Sequence, residues 1–117
     1  MLQAWAQFKI RGLVHITGGG FFDNIPRVLP STCKAVIDKG SWDVPPIFTF
    51  LQDKGRVAEA EMFRTFNMGI GMMAVVASAD AEPLMELFRS AGETPFLLGD
   101  MQTAAAGEAQ VLINGLA

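Results

Sequence analysis

Leu13-Val14-His15-Ile16-Thr17-Gly18-Gly19-Gly20-Phe21-Phe22-Asp23-Asn24 reads as a short apolar strand running through three consecutive glycines into one turn of helix. On a strand His15 and Thr17 share a face, so the single histidine of the chain is delivered to the edge of a glycine-rich loop. Without side chains at Gly18, Gly19 and Gly20, backbone N–H groups can approach an oxyanion closely. The same run serves equally as a tight turn that needs positive φ. His15 is either a hydrogen-bonded, half-buried side chain or a proton donor and acceptor near neutral pH. The segment from Phe21 to Leu29 holds Pro26, which a helix tolerates only near its start.

Working outward, Leu2, Trp5, Ala6 and Phe8 follow a helical spacing that predicts a helix over 2–10, ended by Gly12. No capping residue precedes that face, so the natural chain is expected to continue upstream. Ala35-Val36-Ile37 predicts a second strand, closed by the turn at Lys39-Gly40-Ser41. Pro45-Pro46 opens a helix over 47–52 that stops at Gly55, with Trp42 and Phe48 closing the core nearby. A further helix is expected over 57–63. Met72 to Ala77 is the most strand-like apolar run and is expected at the centre of the sheet. Asp80 is read as the N-cap of a helix over 82–90, with Leu84, Leu87 and Phe88 inward and Gly92 as its C-terminal stop. Phe96-Leu97-Leu98-Gly99 and Val111-Leu112-Ile113 supply two last strands, with 100–108 as the loop between them. The strand, helix and strand from Met72 to Gly99 are expected to form a right-handed crossover between parallel neighbours. About five short strands packed by helices give an α+β (layered α/β) fold with a mixed sheet, in one domain without internal repeats.

The bulk properties exclude several classes. Of 117 residues half are hydrophobic and 18% charged, with a net charge of -3, so neither disorder nor a sequence-blind grip on nucleic acid is favoured. The run Met68 to Ala77, broken by Gly69 and Gly71, is too short to span a bilayer, and the N-terminal run lacks the basic head of a signal peptide. Cys33 cannot form an intrachain disulfide and is read as a small buried apolar residue in a reducing compartment. One His and one Cys do not make a zinc set, and no carboxylates cluster with magnesium-loop spacing, so no metal site is expected from this chain. Glu59 and Glu61 point to different faces of a helix. Met62, Met68, Met72, Met73 and Met85 are read as core filling. Asn67, Gly69 and Gly71 stand directly before the strand at Met72, where glycines mark a bulge or close backbone packing.

The string from His15 to Pro30, His-Ile-Thr-Gly-Gly-Gly-Phe-Phe-Asp-Asn-Ile-Pro-Arg-Val-Leu-Pro, resembles the signature of the aminoimidazole ribonucleotide synthetases, also called phosphoribosylformylglycinamidine cyclo-ligases. Glu61-Met62-Phe63-Arg64-Thr65-Phe66-Asn67-Met68-Gly69-Ile70-Gly71-Met72 is similar to a later motif of the same family. The resemblance implies a cytosolic, homodimeric enzyme that uses ATP and magnesium to close formylglycinamidine ribonucleotide into aminoimidazole ribonucleotide, releasing ADP and phosphate. It also implies that this chain is the C-terminal domain, truncated on its N-terminal side and inactive alone. The missing N-terminal domain would supply most nucleotide, magnesium and dimer contacts. On this resemblance His15 is the acid-base or hydrogen-bonding group. Thr17, Gly18, Gly19 and Gly20 hold phosphate or phosphoryl oxygens, with Asn24 and Arg27 assisting, while Asn67, Gly69 and Gly71 shape the cleft floor. The alternatives are another member of the same ATP-using superfamily (selenophosphate synthetase, thiamine monophosphate kinase, hydrogenase maturation factor) or a non-catalytic module that self-associates through Leu2, Trp5 and Phe8.

Overall fold

A computed structural model describes residues 2–116. In chain order the elements are α1 Leu2–Gln7, β1 Gly12–His15, α2 Gly20–Asn24, β2 Cys33–Asp38, α3 Pro46–Gly55, α4 Glu59–Thr65, β3 Met72–Val75, α5 Ser78–Ser90, β4 Gly99–Thr103 and β5 Val111–Asn114, with 3₁₀ turns at Pro26–Val28 and Lys39–Ser41. The α+β class holds, but the strands divide between two sheets. β1 and β3 form an antiparallel ribbon with Val14 opposite Met73 and His15 opposite Met72. The other sheet has the order β4-β2-β5, with β2 antiparallel to β4 and parallel to β5.

The expectations for the strands are corrected. The run at Met72 is not central: β3 pairs only with β1, and Met72 is 50% exposed, so it does not fill the core. The central strand is β2, whose Ala35, Val36 and Ile37 are all buried between two partners. The expected crossover does not exist, because β3 and β4 lie in different sheets and the parallel pair is β2 with β5. The strand expected at Phe96 begins at Gly99 and runs through Thr103, inside the expected loop, while Phe96 and Leu97 stay exposed. Register on the β2 edge decides this: Gly99 sits so close to that edge that a Cβ there would lie 1.9 Å from the Val36 carbonyl oxygen.

Helix limits shift for local reasons. α1 ends at Gln7 and buries only Ala4, leaving Leu2 and Trp5 exposed. α3 ends through Arg56 in the left-handed region, and the Val57 N–H then bonds the Gln52 carbonyl, so α4 cannot begin until Glu59. α5 starts at Ser78, which puts Asp80 in the first turn, favoured there by the helix dipole, rather than at the N-cap. Its C-terminus matches expectation: Gly92 has φ 89°, its N–H bonds the Arg89 carbonyl, and the Glu93 N–H bonds the Phe88 carbonyl, a Schellman closure. Cys33 is half-buried rather than buried.

The core gathers Phe21 and Ile25 of α2, Met62 and Phe63 of α4, Val14 and Ile16 at the ribbon, Ala35 and Ile37 of β2, Val111 and Ile113 of β5, and Trp42. Phe21 stacks on Trp42 at 5.8 Å between centroids, and Phe63 meets both rings edge-on. Burying each such ring contributes about 1.5–3 kcal/mol. This trio holds α2 and α4 together, and thereby fixes the loops in front of each.

Candidate functional site

β1 alternates, with Val14 and Ile16 buried and His15 and Thr17 exposed, so the imidazole and the hydroxyl share the open face as the sequence implies. Ile16 donates its N–H to the Gly71 carbonyl at 2.9 Å, which brings the end of β1 against the residue preceding β3.

Thr17-Gly18-Gly19-Gly20 then turns sharply. The Gly20 N–H bonds the Thr17 carbonyl at 2.9 Å, and Gly19 has φ 92° and ψ -11°, the geometry of the third position of a type II turn. Gly20, at φ 59°, packs so tightly on α4 that a Cβ would lie 2.0 Å from the Phe63 carbonyl oxygen, whereas a Cβ on Gly18 would meet nothing within 4 Å. Both readings of the run therefore apply to different members: Gly19 and Gly20 are needed by the turn, and Gly18 is open.

Asn24 organises the loop from inside. It is 4% exposed, and its Nδ2 donates to the carbonyls of Gly20 at 2.7 Å, Thr17 at 3.2 Å and Gly18 at 3.3 Å. Its Oδ1 accepts from the Thr17 hydroxyl at 3.4 Å and from Arg27 Nη1 at 3.2 Å. Every peptide here is trans, so each carbonyl points opposite to the N–H of the next residue. With the Thr17 and Gly18 carbonyls drawn toward Asn24, the N–H groups of Gly18 and Gly19 are turned away from it, and among the described residues neither has a protein acceptor. The amide of Asn24 is thus committed to the loop, and Arg27 is tied to Asn24 while remaining exposed.

Asn67-Met68-Gly69-Ile70 forms a second turn. The Ile70 N–H bonds the Asn67 carbonyl at 2.9 Å, Met68 and Gly69 have φ of 54° and 95°, and Asn67 Oδ1 accepts the Gly69 N–H at 2.8 Å. Positive φ at both central residues is the type I′ pattern, uncommon for a methionine. Met68 is held there by burial and by the Trp42 Nε1–H, which donates to its carbonyl at 3.0 Å. Gly69 abuts the Pro45 ring. His15, Thr17 and Gly71 are therefore joined through the ribbon, Gly18 to Gly20 with Asn24 and Arg27 through the clasp, and Asn67 with Gly69 behind them through Trp42.

Two of the surface depressions among the described residues stand apart from His15 and the glycine loop. One, of about 310 Å³, lies between Lys39, Val44, Thr49, Gln52, Glu59, Phe63 and Met68. The other, of about 280 Å³, is bounded by Arg11, Gly12, Val28, Leu29, Pro30, Cys33, Val75 and Met101. Sequence reading missed the first, although helical spacing alone puts Thr49 and Gln52 on one face of α3 and Ile47, Phe50 and Leu51 on another. The perturbed charges lie elsewhere. Lys34, together with the Ala105 N–H, holds the Glu108 carboxyl below its ordinary range, and Glu82 and Glu86 raise Arg89. Among the described residues no group of three His, Cys, Asp or Glu side chains could hold a metal ion, and no helix is long and apolar enough to cross a membrane.

Comparison with known proteins adds three curated relatives, each named phosphoribosylformylglycinamidine cyclo-ligase. The chain is 50% identical over 102 residues to that of Desulfotalea psychrophila, covering 87% of this chain and 29% of the relative. It is 52% identical over 101 residues to that of Citrifermentans bemidjiense, covering 86% and 29%. It is 48% identical over 116 residues to that of Brevibacillus brevis, covering 99% and 33%. The chain thus spans about a third or less of the length of these relatives. A family model described as AIR synthase related protein, C-terminal domain, matches residues 1–111.

Proposed function

Because the chain belongs to the AIR synthase related protein family as its C-terminal domain, we propose that it forms part of a phosphoribosylformylglycinamidine cyclo-ligase of purine biosynthesis. The whole enzyme closes formylglycinamidine ribonucleotide to aminoimidazole ribonucleotide at the expense of ATP, working as a cytosolic homodimer. The observation that carries the reading is the pair of acceptor-free N–H groups at Gly18 and Gly19, next to the exposed His15 and Thr17.

An amide oxygen is a poor leaving group, and ATP supplies the phosphoryl group that turns it into a good one. The work left to this chain is positioning and charge neutralisation. The Gly18 and Gly19 N–H groups are suited to donate to phosphate or phosphoryl oxygens, the Thr17 hydroxyl lies at the same edge, and His15 offers an imidazole for hydrogen bonding or proton transfer. Asn24 holds the loop's carbonyls away from the anion, and Arg27 adds positive charge beside it. On this reading nucleotide and magnesium would be held mainly by the rest of the protein.

A coupled ADP-release assay with formylglycinamidine ribonucleotide tests this in the full-length protein. Release should depend on that substrate, be absent from the 117-residue chain alone, and fall more than about tenfold in His15→Ala with the fold intact. Unchanged turnover in His15→Ala removes the histidine from the chemistry. A folded full-length protein that releases no ADP with this substrate would move the assignment to selenophosphate synthetase, thiamine monophosphate kinase or hydrogenase maturation chemistry.

A further inference from the structure

Helix α3 is turned inside out. Ile47, Phe50 and Leu51 share one stripe by helical spacing and are 55%, 55% and 37% exposed, whereas the half-buried Gln52, with the exposed Thr49 at the rim, lines the depression against α4. Of the apolar side chains on the helix, Phe48 alone packs on the core, against Phe66 at 5.8 Å. Burial of apolar surface would favour turning Leu51 or Phe50 toward α4, so the placing of Gln52 there calls for another cause.

Four polar side chains converge on that depression: Lys39 from the 3₁₀ turn after β2, Thr49 and Gln52 from α3, and Glu59 from α4. Lys39 and Glu59 form an ion pair, so the wall is already balanced in charge. A ligand with net charge would have to break that pair. The Thr49 hydroxyl and the half-buried Gln52 amide make no side-chain hydrogen bond with the described residues. Beneath them the floor is apolar, made by Val44, Phe63 and Met68. A free amide presents one donor beside one acceptor, the complement of a planar ring edge that carries the same two groups. A volume of about 310 Å³ is at the small end of ligand sites, enough for one ring system with a sugar.

We infer that the depression between α3 and α4 is a binding site for a neutral nucleobase or nucleoside whose ring edge places a donor next to an acceptor. The ring lies on Val44, Phe63 and Met68, Gln52 reads the edge, and Thr49 serves a further polar group. This site is separate from His15 and the glycine loop, and it stands whether or not the cyclo-ligase reading does.

Titration calorimetry and methyl NMR with adenosine, and with purine riboside, which carries ring acceptors only, test it. Adenosine should bind with a dissociation constant on the order of 0.1 mM and shift the methyl signals of Thr49 and Met68. Purine riboside should bind several-fold more weakly, and Gln52→Leu should weaken adenosine about tenfold at an unchanged unfolding midpoint. Absence of adenosine binding up to about 10 mM overturns the proposal. So does equal binding of purine riboside, or methyl shifts confined to residues outside the depression. Should Gln52→Leu fail to fold, Thr49→Val and the wild-type methyl map decide in its place.

Discussion

Asn24 carries the glycine loop on a single amide, so its removal leaves the Thr17, Gly18 and Gly20 carbonyls without their donor. Asn24→Ala is expected to cost about 1–3 kcal/mol in urea unfolding. Asn24→Asp, which turns a carboxylate oxygen toward three carbonyl oxygens, should cost at least as much, and a wild-type midpoint for it would mean that the clasp contributes nothing. The glycines should separate as sharply. Gly20→Ala forces a Cβ onto the Phe63 carbonyl at a positive φ and is expected to lose about 2 kcal/mol or more, while Gly18→Ala, with open space around it, stays near wild type in stability. In the sequence the three glycines look alike. What distinguishes them is the carbonyl of Phe63, which arrives from far along the chain, and the role of Asn24 was illegible for the same reason: its partners are backbone atoms that carry no residue identity. The shared face of His15 and Thr17 was legible, because strand alternation is a local property.

At the scale of elements, the turn between β4 and β5 is fastened to β2 by Glu108, which pairs with Lys34 and accepts the Ala105 N–H at 2.9 Å. Its folded-state carboxyl titrates below the unfolded one. The resulting stability is therefore fully present above the unfolded value, near pH 4, and is lost as pH falls through the lower folded value. Because the pair is exposed the effect is small, and Glu108→Gln should show a shallower drop in melting temperature between about pH 6 and pH 3 than wild type. If the two profiles coincide, the pairing does not reach the folding equilibrium. Gly92→Ala at the end of α5 should lose about 1 kcal/mol in thermal unfolding, since φ there is 89°. Such stops, and the helical turn after the glycine run, were readable because they depend on a few neighbouring residues. The strands were harder. Phe96 to Leu98 has the hydrophobicity of a strand, yet the ladder forms on the more polar Gly99–Thr103, because β2 accepts that register and its edge leaves no room for a Cβ at the first position. Likewise the apolar run at Met72 reports partial burial in a ribbon, and composition alone cannot tell this from the centre of a sheet.

The whole molecule is a slab of 44 × 39 × 22 Å with a radius of gyration of 14.6 Å, against about 13.4 Å expected for a compact chain of this length. Two small sheets, instead of one continuous five-stranded sheet, account for the spread. Small-angle scattering on the monomer should return at least the larger value. The two tryptophans give an optical check, because Trp42 is 6% exposed and Trp5 is 59% exposed: in Trp5→Phe the remaining emission should be blue-shifted and resist acrylamide, and a readily quenched signal would contradict the packing of Trp42 on Phe21. The parallel pairing of β2 with β5 has one more consequence, which concerns the order of events during synthesis. Asp38 and Asn114, bonded at 3.0 Å, stand 76 positions apart, so at about 5–20 residues per second the ribosome takes roughly 4 to 15 s to deliver the partner of a strand already made. Through most of that interval β2, apolar on both faces, has both edges open to any passing chain, because β4 emerges only shortly before β5.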